Sequence, residues 1–296
     1  MNATLVYLLV ALSTLFWGAN FVLAGPVLAD IPPLWAAALR FALGTVLMLT
    51  LVIWRGEDLM APLRRHAKVY ALLGAVGIGS FNLLFFFALQ TTSAANGALI
   101  MATNPLLTTV LAALLLGEAT KPRQLLALPL ALIGVVVVIS GGDLHRLAKL
   151  QLAHGDLLMI GANVTWAFYN ILMRRYQPSG SAVANTTLVM AAGMLLLLAV
   201  AMGSGEIVHV PSVKAGTSLV TMAIGGTVLA YLFWNMGIAH LGAGRTSLFL
   251  NLVPVFAMLI GALLGTVPSE AQIIGGLVVI SAVSIAMLPS RRLAES

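Results

Sequence analysis

The sequence has no cysteine and very little charge. Of its 296 residues, 15 are Lys or Arg and 9 are Asp or Glu, so charged residues make up 8%. Without cysteine there is no disulfide, no thiol nucleophile and no thiolate metal site, and the compartment is left open. So little charge excludes a soluble domain of this length, which needs far more to cover its surface. Long polar stretches are missing too, so no linker, low-complexity segment or soluble domain is left over. Catalytic spacing is also lacking: there is no HExxH and no paired acid inside an apolar run. The expectation is a non-enzyme with no cofactor and no metal.

What the chain does have is apolar sequence. Hydrophobic residues make up 60% and the mean hydropathy is +1.05. A membrane-spanning helix needs about 20 largely apolar residues. Ten such runs lie near 3–28, 33–54, 69–89, 94–116, 123–140, 154–173, 185–203, 215–240, 246–266 and 270–289. They are too long for barrel strands of about 10 residues, and they do not alternate. The prediction is an all-α integral membrane protein with ten transmembrane helices.

The net charge of +6 is an orientation signal rather than a sign of a nucleic-acid partner. Arg55, Arg64, Arg65, Lys68, Lys121, Arg123, Arg174, Arg175, Arg245, Arg291 and Arg292 follow even-numbered runs. Arg146, Lys149 and Lys214 lie on the opposite side, and Arg40 lies within a run. That bias predicts both termini in the cytoplasm. Residues 1–20 lack the basic start of a secretory signal, and the apolar run continues past any cleavage site.

A shift of 149 residues lays Trp17 on Trp166, Gly44 on Gly193, Pro105 on Pro254, and Ala113-Leu114-Leu115 on Ala262-Leu263-Leu264. The offset needs no gap. Each half, 1–145 and 150–296, then has five runs. Five is odd, so the second half enters the membrane from the opposite side. Inverted repeats of this kind build transporters with a midplane site and two quasi-equivalent packings.

FWGANF at residues 16–21, Arg40 within WAAALRFALG, and ATNPLLTTVLAALLLGEATKPRQ together resemble the drug/metabolite transporter superfamily in its EamA-type exporter branch. Within that branch the chain is most similar to the bacterial aromatic amino acid exporters. The resemblance covers essentially the whole chain. It implies helices 1–4 and 6–9 around a central cavity, with helices 5 and 10 outside, in a bacterial inner membrane. One departure is that Gly117-Glu118 falls on Thr266-Val267 in the second half. The acid is not shared, which argues against a symmetric structural role for it.

Polar side chains in hydrocarbon must face protein or water, so their placement is informative. Thr14, Trp17 and Phe21 share one helix face, and so do their offset mates Asn163, Trp166 and Asn170. Asn20 adds an amide, and Gly18 permits close approach of another backbone. Asn82, Phe85 and Phe86 fall on Tyr231, Trp234 and Asn235. Candidate substrate-binding residues are therefore Trp17, Asn20, Asn82, Phe86, Met101, Trp166, Asn170, Tyr231, Trp234, Asn235 and Asn251. Each also has a packing alternative.

Pro105 and Pro254 interrupt their helices and free carbonyls near Met101 and Leu250, as gates or as static kinks. For Arg40, snorkelling or pairing with Asp30 is preferred over binding a carboxylate. His154 and His240, near run ends and without a cluster, read as surface or packing residues. Leu144, Leu147 and Leu150 mark either a short interfacial helix or a linker.

All nine acids lie in loops or at run ends. The cavity is expected to be aromatic, amide-rich and nearly neutral. It suits neutral or zwitterionic amino acids, aromatic and hydrophobic ones first. Such a protein would act as a facilitative exporter by alternating access, the direction being what the resemblance implies. The alternative is a broad drug or metabolite exporter, with or without proton coupling.

Overall fold

The computed structural model describes residues 2–92, 94–143, 154–207 and 209–288. Nine helices among them are long and apolar enough to cross a membrane. They are span 1 (Ala3–Asp30), span 2 (Pro33–Trp54), span 3 (Met60–Ala88), span 4 (Gly97–Leu116), span 5 (Pro122–Ser140), span 7 (Ala182–Gly203), span 8 (Val213–Leu241), span 9 (Ala243–Leu263) and span 10 (Glu270–Met287). Span 6, His154–Tyr176, is as long at 23 residues but more polar. Asp156, Asn163 and Asn170 lower its hydropathy, and all three are buried. The tenth helix thus carries a buried polar face. The leucine stripe at 144, 147 and 150 lies outside the described residues.

Local chemistry sets the ends. Asn2 caps span 1, Ser181 caps span 7 and Ser212 caps span 8, each through its side-chain oxygen on a backbone N–H. Pro33 and Pro122 sit in first turns, where no amide donor is needed. Gly117 and Gly141 close spans 4 and 5 with left-handed backbone (φ 66° and 67°). Span 3 begins earlier than the apolar pattern, because its first turns are an exposed basic stretch that includes Arg64, Arg65 and Lys68.

The two sequence repeats interleave. Span 1 packs mainly on spans 8 and 9, and its offset mate span 6 packs on spans 3 and 4. Spans 2 and 7, themselves mates, pack on each other, as do spans 5 and 10. The bundle therefore contains two triplets, spans 1, 8 and 9 and spans 3, 4 and 6, each drawn from both repeats. Spans 5 and 10 stand to one side, where Gly134 and Gly275 meet backbone to backbone. The outer position that the resemblance implies for these two helices is thus observed.

Glycines permit the tight contacts. A Cβ on Gly18 would lie 2.9 Å from the Ala257 nitrogen, so span 1 needs a glycine to seat on span 9. Gly193 packs against Ile78 and Gly74, and Gly44 against Thr227 and Met190. Spans 3 and 8 each contain a π-helical segment, Ala75–Ser80 and Met222–Leu229, at equivalent places in the repeat. Such widened turns are frequent at functional sites.

Candidate substrate-binding site

The two triplets meet in a cluster of rings. Trp17 of span 1 lies 5.4 Å from Trp166 of span 6, 5.9 Å from Tyr231 and 5.0 Å from Trp234 of span 8, between ring centroids. Trp166 in turn contacts Phe81, Tyr169 and Tyr231 at 5.0, 5.2 and 5.8 Å. Several pairs are edge-to-face, the favourable arrangement for ring quadrupoles, worth about 0.5–1.5 kcal/mol each beyond area burial. Trp234 and Tyr169 are fully buried. The expected lining residues touch one another in this conformation.

Amides tie the rings together across the junction. Asn170 accepts from Trp234 Nε1 at 2.9 Å. Asn235 accepts from the Tyr169 hydroxyl at 2.7 Å and donates to Thr186 at 3.2 Å. Trp17 Nε1 donates to the Gly226 carbonyl in the π-helical turn of span 8, at 3.0 Å. Its mate Trp166 has no hydrogen-bond partner at Nε1, and Asn170 has none at Nδ2. Both orphan donors are buried, and in a protein interior they call for acceptors.

Other predicted residues fall outside this cluster. Asn20 lies against Gly226 but opens on a pocket of about 210 Å³ lined by Phe16, Leu23, Thr221 and Ile224. Its Oδ1 is unpartnered. Phe86 stacks edge-on with Phe85 at 5.7 Å. Met101 packs beside Ala88, Met159 and Ala162. Asn251 donates to the Leu248 carbonyl at 3.2 Å, within a helix break.

Asn82 receives Arg40 Nη2 at 3.0 Å and donates to the Ile78 carbonyl at 2.7 Å. The preferred pairing of Arg40 with Asp30 is therefore not the one observed. Asp30 instead accepts from the Ser212 backbone N–H at 2.8 Å. Asp30 ends span 1, whereas Arg40 lies seven residues into span 2 with its head on Asn82 of span 3.

Tyr169 and Phe81 were not among the predicted residues. Tyr169 could have been found, because it shares the Trp166 face one turn on and is the offset mate of Asn20. The parallel is physical. A Cβ on Gly77 would lie 2.0 Å from the Tyr169 ring, and one on Gly226 would lie 2.1 Å from the Asn20 amide. Each π-helical turn thus uses a glycine to receive a side chain from another helix of its own triplet.

Span 4 breaks at Thr103 and resumes at Asn104–Leu116, with Pro105 in the first turn. Near Met101, as expected, the Ile100 carbonyl accepts from Asn163 Nδ2 at 3.0 Å and from the Thr103 hydroxyl at 2.6 Å. Asn104 donates to the Asn163 side chain at 2.6 Å and to its carbonyl at 2.9 Å. Span 9 breaks at the corresponding place, with a 3-10 turn at Phe249–Asn251 just before Pro254.

One end of the bundle is bridged by a polar latch. Arg174 at the end of span 6 pairs with Glu118 after span 4 at 3.2 Å. It also donates to the Ala239 carbonyl of span 8 at 2.6 Å. Glu118 accepts from the Ala243 and Gly244 N–H groups of span 9 at 3.2 and 3.3 Å. Glu118 thus ties spans 4, 6 and 9 together at one end of the bundle.

The profile of the EamA-like transporter family matches residues 4–140 and again residues 153–288. The chain belongs to the EamA-like transporter family. It is similar to the uncharacterized transporter YyaM of Bacillus subtilis, 38% identical over 93% of this chain and 91% of that protein. It is also similar to the aromatic amino acid exporter YddG of Ancylobacter novellus, 24% identical over 94% of this chain and 95% of that one. A crystal structure of a protein 23% identical to it covers 100% of both chains with a TM-score of 0.82. At that identity the likeness shows the fold. This EamA-like chain is thus a multi-pass membrane transporter built from two repeats.

Proposed function

We propose that this EamA-like transporter exports neutral and zwitterionic amino acids, aromatic ones first, across a bacterial inner membrane. Both termini are cytoplasmic in this proposal, so the Glu118 end faces the cytoplasm. The observation that carries the proposal is the ring-and-amide cluster at the junction of the two triplets. Indole and phenol rings suit an apolar or aromatic side chain. The orphan donors on Trp166 and Asn170 suit acceptors on a substrate. The distant likeness to an aromatic amino acid exporter supports the same substrate class.

Transport proceeds by rocking of spans 1, 8 and 9 against spans 3, 4 and 6. In an inverted repeat the second state exchanges the conformations of the two halves. Here Trp17 bonds the Gly226 carbonyl while Trp166 Nε1 is unbonded. In the opposite state Trp166 bonds the Gly77 carbonyl and Trp17 is released. All nine acids lie in loops or near helix ends, so the rocking is driven by the substrate gradient rather than by a midplane proton carrier.

The test is flux of labelled phenylalanine and of a non-amino-acid metabolite in proteoliposomes, with and without a pH gradient. Saturable phenylalanine flux that does not need the gradient is expected. Trp17→Ala and Trp166→Ala should each weaken apparent affinity about two- to tenfold, since a ring contact is worth about 0.5–1.5 kcal/mol and about 1.4 kcal/mol is tenfold. Unchanged flux and affinity in both variants removes the cluster from the site. Flux of the metabolite alone favours a broad metabolite exporter.

A further inference from the structure

We propose that Arg40 is the anchor for a carboxylate group on the transported molecule. The proposal rests on the transporter reading and names a chemical feature that the ring cluster does not specify. Arg40 lies seven residues after Pro33, about 10 Å along span 2 at 1.5 Å per residue. Lys68 lies as far along span 3, but on the exposed basic turns that precede its apolar run, whereas Arg40 lies within the apolar part of span 2.

A guanidinium offers five N–H donors and a full positive charge. Here Nη2 reaches the neutral Asn82 amide oxygen, and Cζ lies 5.1 Å from the centre of the Phe41 ring. Arg40 Nε is buried with no hydrogen-bond partner. None of these contacts brings a negative charge. Desolvating a cation without an anion costs several kcal/mol, and intramembrane cations pair or line a transport path. Asp30, the acid that ends span 1, is engaged by Ser212. The missing anion is supplied by the passing substrate.

The surroundings define which anion. Arg40 sits over the Phe41 ring, and Phe41 packs edge-to-face on Tyr231. The Tyr231 ring contacts Phe41, Trp17 and Trp166 at 5.5, 5.9 and 5.8 Å. The charged head therefore borders the ring cluster. A molecule with a carboxylate at one end and an apolar body fits both. A single guanidinium matches a monoanionic carboxylate, whereas a phosphate dianion calls for a cluster of cations.

The repeat adds a second argument. Asn82 and Tyr231 are offset mates, so they flank the axis relating the two halves. The mate of Arg40 is Val189, so the anchor is single. A single charge beside that axis serves the inward-open and outward-open states alike.

The experiment compares labelled phenylalanine, its amide and indole-3-acetate in proteoliposomes containing the full chain. The wild type should prefer phenylalanine over its amide by about tenfold or more, since hydrogen bonds to a charged group contribute about 1.5–3 kcal/mol. Arg40→Gln should bring the ratio to about one, and Arg40→Lys should restore part of it. Asn82→Asp keeps the guanidinium but gives it a resident carboxylate, and should also abolish the preference. It decides the matter if Arg40→Gln does not fold.

A ratio unchanged in Asn82→Asp or in folded Arg40→Gln overturns the anchor while leaving amino acid transport intact. Indole-3-acetate flux that is lost in these variants, without phenylalanine flux, supports the anchor and overturns the amino acid proposal. A wild type that carries neither carboxylate overturns the anchor.

Discussion

Trp17 and Trp166 occupy equivalent positions but do not behave alike. One indole is bonded to a π-turn carbonyl and the other is not. Trp17→Phe removes a bond made in this state, whereas Trp166→Phe removes, on the proposed exchange, one made only in the opposite state. Because the chain lacks cysteine, a single cysteine at Gly244 reports opening of the Glu118 end without background. Trp17→Phe should raise its labelling rate and Trp166→Phe should lower it. Equal effects would count against the exchange.

Gly77 gives a second prediction at this scale. Its Cα faces the Tyr169 ring so closely that Gly77→Ala forces the ring aside, at about 1–3 kcal/mol of overpacking. A lowered melting temperature in detergent checks this. The offset alone made the indole pair legible in the sequence. The partners of Asn82 and Arg40 were not legible, because they depend on how each helix is rotated about its own axis.

Among the elements, the latch and the helix breaks are where the proposed rocking can be tested. The Glu118–Arg174 pair is partly exposed, with side chains 24% and 39% accessible, so the ion pair alone is worth about 1 kcal/mol or less. Its backbone bonds across the two triplets add to that. Glu118→Gln should open this end more often, and labelling of the Gly244 cysteine should rise several-fold. No change would mean that the latch closes nothing.

The breaks in spans 4 and 9 are where those helices bend. Asn163 satisfies the one in span 4, with Asn104 and Thr103. Asn163→Leu strands these groups. It should cost about 2–4 kcal/mol, taking about 1 kcal/mol or more per lost bond, measured by unfolding in denaturant. Apolar runs made the helices legible, and the prolines marked the breaks to within a residue. The π-turns were not legible, because glycines are equally frequent in ordinary close-packed membrane helices.

At the scale of the molecule, the odd count of five runs per repeat carried most of the architecture. Span 6 was counted among the ten apolar runs even though its polar face weakens its apolar signal. The interleaving of the repeats was not legible, since chain order says nothing about which triplet a helix joins. The triplets make alternating access testable without knowing the substrate in advance.

A Cβ on Gly244 of span 9 would lie 3.5 Å from the Thr109 Cα and Oγ1 of span 4. That is within reach of a disulfide, whose Cβ atoms stand about 3.5–4.5 Å apart. The most direct measurement is phenylalanine flux in proteoliposomes of the Thr109→Cys, Gly244→Cys double variant, oxidised and then reduced. Locking the Glu118 end shut should abolish flux, and reduction should restore it. Full flux in the fully cross-linked protein would contradict alternating access between these triplets.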